Sequence, residues 1–232
     1  MAKKIARNAA QKQTRREKIS LALGFSIMFL FVVLALQIPI IMMYYAGVIS
    51  LVSTTYWSSA ALSFSFSISA ILYLVFFKRQ SIAVVLRSIG LDKKRITLKI
   101  LGIGVVLFLA IFALEAVVTS IEAVTHVTIS TNVSNVFSGA PLWFFVFAAV
   151  IAPINEEIMF RGLFVPRLGI VASAVLFAIP HYVYGSTYGI EVIAAFVFAL
   201  LAGYIYKKTG SLYASTLAHM LVNIFAVISL LV

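Results

Sequence analysis

Glu156 and Glu157 stand side by side in the stretch NEEIMFRG, with Arg161 four residues after the second of them. His181 closes the stretch FAIPH, and HMLVN runs from His219 to Asn223. Carboxylates, imidazoles and a carboxamide are the groups that general acid and base chemistry with oxyanion stabilisation requires. The sequence around them is almost continuously apolar, where each charge costs free energy to keep out of water. At helical spacing Glu157 and Arg161 share a face and can form an ion pair. Such a pair can simply fix helix geometry. Glu156 lies about 100° round the helix from its neighbour and has no partner in that scheme. An unpaired carboxylate there protonates unless something nearby hydrogen-bonds it or needs its charge.

Phe177 falls one turn before His181, and Asn223 one turn after His219 on the same helical face. Glu115 sits in the outer half of an apolar run and reads as partly solvated or hydrogen-bonded. His126 and Glu191 lie at or beyond the outer surface and read as solvated.

The elements that must position these groups are membrane helices. Of 232 residues, 63% are hydrophobic and 11% charged, and the mean hydropathy is +1.11, far outside the balance of a soluble domain. Runs of about 20 apolar residues are long enough to cross a hydrocarbon core. They lack the alternation of a lipid-facing strand, which favours helices over a barrel. The predicted spans are 19–44, 56–77, 100–121, 142–166, 168–184, 190–206 and 211–231, an all-α polytopic bundle of about seven crossings. The first 18 residues carry seven basic side chains and one acid, and no serine, so they read as a basic cytoplasmic segment before a retained anchor, not as a transit peptide. Residues 19–232 then form one membrane domain.

Seven crossings from a cytoplasmic N-terminus place Lys78, Arg79, Arg87, Lys93, Lys94, Arg95, Lys99, Arg167, Lys207 and Lys208 on the same side as that basic segment. The net charge of +11 is thereby a matter of topology, and no nucleic-acid partner is implied. The sequence has no cysteine, hence no disulfide framework or thiolate metal site. The triplet at Asn132–Ser134 matches a glycosylation sequon, relevant only in a eukaryotic secretory membrane. Counted at 1.5 Å per residue from the cytoplasmic helix ends, Glu156 lies ~16 Å deep, His181 ~20 Å and His219 ~12 Å. Tilted helices can bring the three into one layer.

The ordered set EEIMFR at Glu156–Arg161, FAIPH at Phe177–His181 and HMLVN at His219–Asn223 resembles the signatures EExxxR, FxxxH and HxxxN of the CPBP intramembrane proteases, also called the CAAX protease or Abi family. Gly162 and the TGSL stretch at Thr209–Leu212 are also similar to the family. The resemblance covers about residues 142–225; the earlier residues match only as generic membrane helices. Pro180 departs from the pattern: it removes a backbone hydrogen bond and bends the chain where His181 must be aimed.

The resemblance implies peptide-bond hydrolysis within the bilayer. On that reading Glu156 is the general base, His181 helps to hold the water, and His219 and Asn223 present N–H donors to the oxyanion. Glu157 and Arg161 support the base, and Phe177 packs beneath His181. A zinc version would use Glu156, His181 and His219 as ligands with water in the fourth position, although HExxH is absent; the metal-free version is favoured. The implied partners are the lipid bilayer and a membrane-associated peptide or protein substrate, with bacteriocin or signalling-peptide maturation or self-immunity in a bacterial plasma membrane as the setting. The alternative is a catalytically silent membrane scaffold or immunity protein that regulates a partner such as a sensor kinase.

Overall fold

The computed structural model describes residues 2–126, 137, 139–184 and 190–231. The sequon at Asn132–Ser134 lies outside the described residues, as does the side chain of Glu191. Among the described residues the regular elements are all helical. Helix α1 runs Ala2–Tyr45 and α2 Leu51–Leu72, the latter extended by a π turn at Tyr73–Phe77. Short α3 (Ile82–Ser88) leads to α4 (Leu98–Thr125). Helix α5 is the interrupted span Leu142–Leu168. Helix α6 (Ile170–Ala178) passes into a 3-10 turn at Ile179–Tyr184, and α7 (Ile190–Thr209) and α8 (Tyr213–Leu231) follow.

Among the described residues six helices are long and apolar enough to cross a membrane, and the fold is a helical membrane bundle. The sequence reading expects a seventh full crossing at 168–184. There the described residues form a shorter apolar helix, Ile170–Tyr182, about 20 Å of rise against the ~30 Å of a hydrocarbon core. Gly169, at φ 89°, separates it from α5, and Pro180 turns its far end into 3-10 geometry. Large apolar side chains such as Phe31, Val106 and Val171 are exposed on the outside of the bundle, as lipid contact requires.

A single cluster of buried residues joins α4 (Leu107, Ile111), α5 (Phe160, Leu163), α6 (Phe177), α7 (Phe198, Ala202) and α8 (Ala218). Two glycines set how closely its members approach. A Cβ on Gly104 of α4 would lie 2.7 Å from the Ala214 carbonyl of α8, and one on Gly162 of α5 would lie 2.8 Å from the Ile89 Cβ just after α3. The family-like glycine after Arg161 is thus the point where α5 meets the α3 turn. Beyond it, Leu212 N–H donates to the Gly90 carbonyl at 3.2 Å, and Arg95 donates to the carbonyls of Thr209 and Gly210. These bonds bring two of the basic loops to one end of the bundle.

Candidate functional site

Within helix α5 the α-helical stretch Ala152–Glu157 lies between π segments at Phe147–Ile151 and Ile158–Phe164. Insertions of this type in helices gather at functional sites. Here they bracket the two glutamates. Glu157 is fully buried, and its Oε2 lies 3.2 Å from Arg161 Nε. The alignment is that of two charges in contact, not of a directed hydrogen bond. The Arg161 Cζ lies over two rings, 4.2 Å from the Phe177 centroid and 5.2 Å from that of Phe198. Cation–π attraction is strongest where water is excluded, which accounts for a buried guanidinium whose Nη atoms lack a hydrogen-bond partner among the described residues.

The other oxygen of Glu157 reaches α8. Glu157 Oε1 stands 3.2 Å from His219 Nδ1, so a hydrogen on Nδ1 donates to the carboxylate, and Ser215, one turn earlier on α8, faces the same group. The remaining imidazole nitrogen, His219 Nε2, points at Glu156 Oε2, 3.9 Å away. That gap is too long for a direct hydrogen bond. Glu156 keeps 21% of its side chain exposed, against 0% for Glu157. Of two adjacent carboxylates, one is sealed in the network and the other opens outward.

His181 joins from α6. Its ring lies 4.8 Å from that of Phe177, whose other neighbours include the His219 ring at 5.6 Å. His181 Nδ1 is 2.9 Å from the Phe177 carbonyl. A carbonyl only accepts, so Nδ1 carries the hydrogen and Nε2 presents a lone pair. Pro180 explains the bond. The 3-10 turn releases the Phe177 carbonyl from its α-helical partner, and the His181 side chain takes it up. The departure from the family pattern thereby fixes which nitrogen of the histidine is basic.

Asn223 stands one turn beyond His219, and its Nδ2 donates to the Ala148 carbonyl at 2.9 Å. That carbonyl belongs to the first π segment, so Asn223 ties α8 to α5 and retains a second N–H. The structure therefore gathers Glu156, Glu157, Arg161, Phe177, His181 and His219 around one polar layer, with Asn223 at its edge. Glu115 lies on the half-exposed outer part of α4, and His126 is exposed. Sequence reasoning assigned no role to Ser173 or Ser215. Ser173 Oγ donates to the Phe160 carbonyl at 2.6 Å and pins α6 to the second π segment. Its only sequence signal is a hydroxyl on an otherwise apolar helix. Ser215 had a clearer one, four residues before His219.

Among the described residues no three His, Asp or Glu side chains are grouped so as to hold a metal ion. His219 Nδ1 is engaged by Glu157 and His181 Nδ1 by a carbonyl, so in each ring Nε2 is the nitrogen outside these bonds, and a histidine that ligates through one nitrogen commonly hydrogen-bonds through the other in this way.

Residues 138–225 match the family model Rce1-like, described as type II CAAX prenyl endopeptidase Rce1-like. The resemblance to the CPBP/CAAX proteases is borne out over this segment. The stretches Glu156–Arg161, Phe177–His181 and His219–Asn223 fall inside it, and so do α5, α6, α7 and most of α8. The family implies a peptidase embedded in a membrane. No curated protein and no solved structure matches the chain. Helices α1 to α4 lie outside the matched segment.

Proposed function

We propose that the protein is an intramembrane endopeptidase that hydrolyses a membrane-associated peptide or protein with a glutamate-activated water. The observation that carries this reading is the contrast between the two glutamates: Glu157 is enclosed by Arg161 and His219, while Glu156 is open on one side and faces His219 Nε2 at 3.9 Å. A site meant only to clamp helices has no use for the second carboxylate.

Water held between Glu156 and the His181 Nε2 lone pair attacks the scissile carbonyl carbon, and Glu156 takes its proton. The oxyanion that forms accepts hydrogen bonds from the free N–H of Asn223 and from Nε2–H of His219, which enters the step doubly protonated with its Nδ1–H on Glu157. Glu157 supports the charge on the imidazole in that state, as a carboxylate orients the base in a hydrolase triad. When the C–N bond breaks, the proton on Glu156 passes to the leaving amine. The basic end of the bundle suits cytoplasmic access, and a peptide tethered by a lipid chain, as in prenylated CAAX proteins, would arrive at the required depth. Maturation or self-immunity towards a bacterial membrane peptide uses the same chemistry.

Purified protein in proteoliposomes, supplied with lipid-anchored peptides in ¹⁸O water, tests the reading. The expected result is cleavage with ¹⁸O in the new carboxyl group and a rate unchanged by a chelator. Cleavage abolished by the chelator and restored by zinc would overturn the metal-free mechanism. Absence of cleavage across prenylated and unprenylated peptides would favour the scaffold.

A further inference from the structure

Asn155 directly precedes the glutamate pair and belongs to none of the three motifs. It is buried, 5% exposed, in an apolar bundle where an unsatisfied amide is costly. Both ends of its carboxamide are held by α2: Ser67 Oγ donates to Oδ1 at 2.8 Å, and Nδ2 donates to Ser63 Oγ at 3.2 Å. Ser63 and Ser67 are one turn apart on one face of α2, and Ser65 and Ser69, also buried, lie about 200° round the helix from them. Ser65 bonds within its own helix, to the Ala61 carbonyl. Ser63 and Ser67 are the two that reach α5.

Helical geometry gives this contact its consequence. Successive residues are about 100° apart, so Asn155 and Glu157 flank Glu156 on either side of the helix. Glu157 is tied to α8 and Asn155 to α2, and Glu156 projects through the gap between the two attachments. The backbone alone does not enforce that setting. The regular segment Ala152–Glu157 is short and has a π segment at each end, and a π insertion displaced by one residue would swing Glu156 about 100° from His219. A planar amide gripped at both ends resists that rotation, as a single bond or an apolar contact does not. Helices that need only close approach use small apolar residues instead.

We propose that Asn155 is a positioning residue: with Ser63 and Ser67 it sets the rotation of α5 that aims Glu156 at His219. The α1–α4 half of the chain, outside the family match, thereby takes part in the site. The kinetic side of this inference rests on the peptidase reading; the geometric side does not.

The test uses the full chain in proteoliposomes, with an isosteric pair at the α2 hydroxyl. Ser67→Thr keeps the oxygen and Ser67→Val replaces it with a methyl group, so any overpacking is shared. Asn155→Ala and Ser67→Val are expected to lower kcat about 10-fold or more with KM within about twofold, and Ser67→Thr to stay near wild type. In parallel, a hydrophobic carbodiimide labels carboxyl groups, and peptide mapping reads Glu156 against the enclosed Glu157. The Glu156 labelling rate should change at least about threefold in Asn155→Ala and Ser67→Val and stay constant in Ser67→Thr. Equal behaviour of the Thr and Val variants overturns the proposal. So does a loss of activity that follows the melting temperature with labelling unchanged. If the wild type cleaves none of the peptides, or if Glu156→Gln still cleaves them, the peptidase reading fails, and the labelling contrast alone decides the role of Asn155.

Discussion

At the residue scale the site divides its charges between holding and reacting. Glu157 and Arg161 are fully buried partners, and removing one leaves an uncompensated charge in the bundle. Glu157→Gln is expected to destabilise the protein by about 3–5 kcal/mol, read as a lowered thermal midpoint in detergent, whereas Glu156→Gln should leave that midpoint nearly unchanged. Equal destabilisation by both would contradict the division. Asn223 is the ambiguous member, since one N–H already serves the Ala148 carbonyl. If its other N–H meets the oxyanion, Asn223→Ala lowers kcat by about 10²-fold or more. An unchanged kcat with a modest loss of stability would make it a helix tie alone. The sequence made the Glu157–Arg161 pair legible because i, i+4 spacing needs no tertiary information. The bond from His219 to Glu157 was not legible, because it depends on how α8 rotates against α5.

At the element scale the breaks in the helices matter more than the helices. Apolar runs were enough to place the spans. They were silent about the π segments that bracket Glu156 and Glu157, since apart from Arg161 the sequence of those segments is apolar in every phase. The fifth span was legible from composition for the same reason, but the turn at Gly169 and the 3-10 geometry at Pro180 that limit its α-helical part to Ile170–Ala178 were not. Pro180→Ala restores a backbone N–H and favours α-helical bonding through His181. Its expected outcome is a protein at least as stable, with kcat several-fold lower, because the Phe177 carbonyl no longer fixes the imidazole. Full activity in that variant would show that the 3-10 turn is dispensable. Gly162→Ala places a methyl group 2.8 Å from the Ile89 Cβ and should cost about 1–3 kcal/mol, measured as a lowered midpoint. No change would mean that the α3 turn yields freely.

At the scale of the whole molecule, the halves inside and outside the family match are interlocked. Ser63 and Ser67 grip α5, Ile89 packs on Gly162, and Gly104 admits the backbone of α8. None of this could be read from the first 140 residues, whose apolar composition says only that they face lipid or each other. The charge pattern was more informative: loops predicted to share one side do meet, at Gly90 and Leu212 and at Arg95 and Gly210. The absence of cysteine makes orientation directly measurable. Single cysteines at Lys93 and Lys207 should react with an impermeant maleimide only after the cytoplasmic face is opened, and one at Gly139 should react in intact cells. Reaction of all three from one side would contradict the arrangement. The central claim, that Glu156 activates the water, is tested most directly by single-turnover cleavage of a lipid-anchored peptide by Glu156→Gln in proteoliposomes. The account predicts loss of cleavage by at least about 10²-fold with the thermal midpoint retained, and cleavage at the wild-type rate would contradict it.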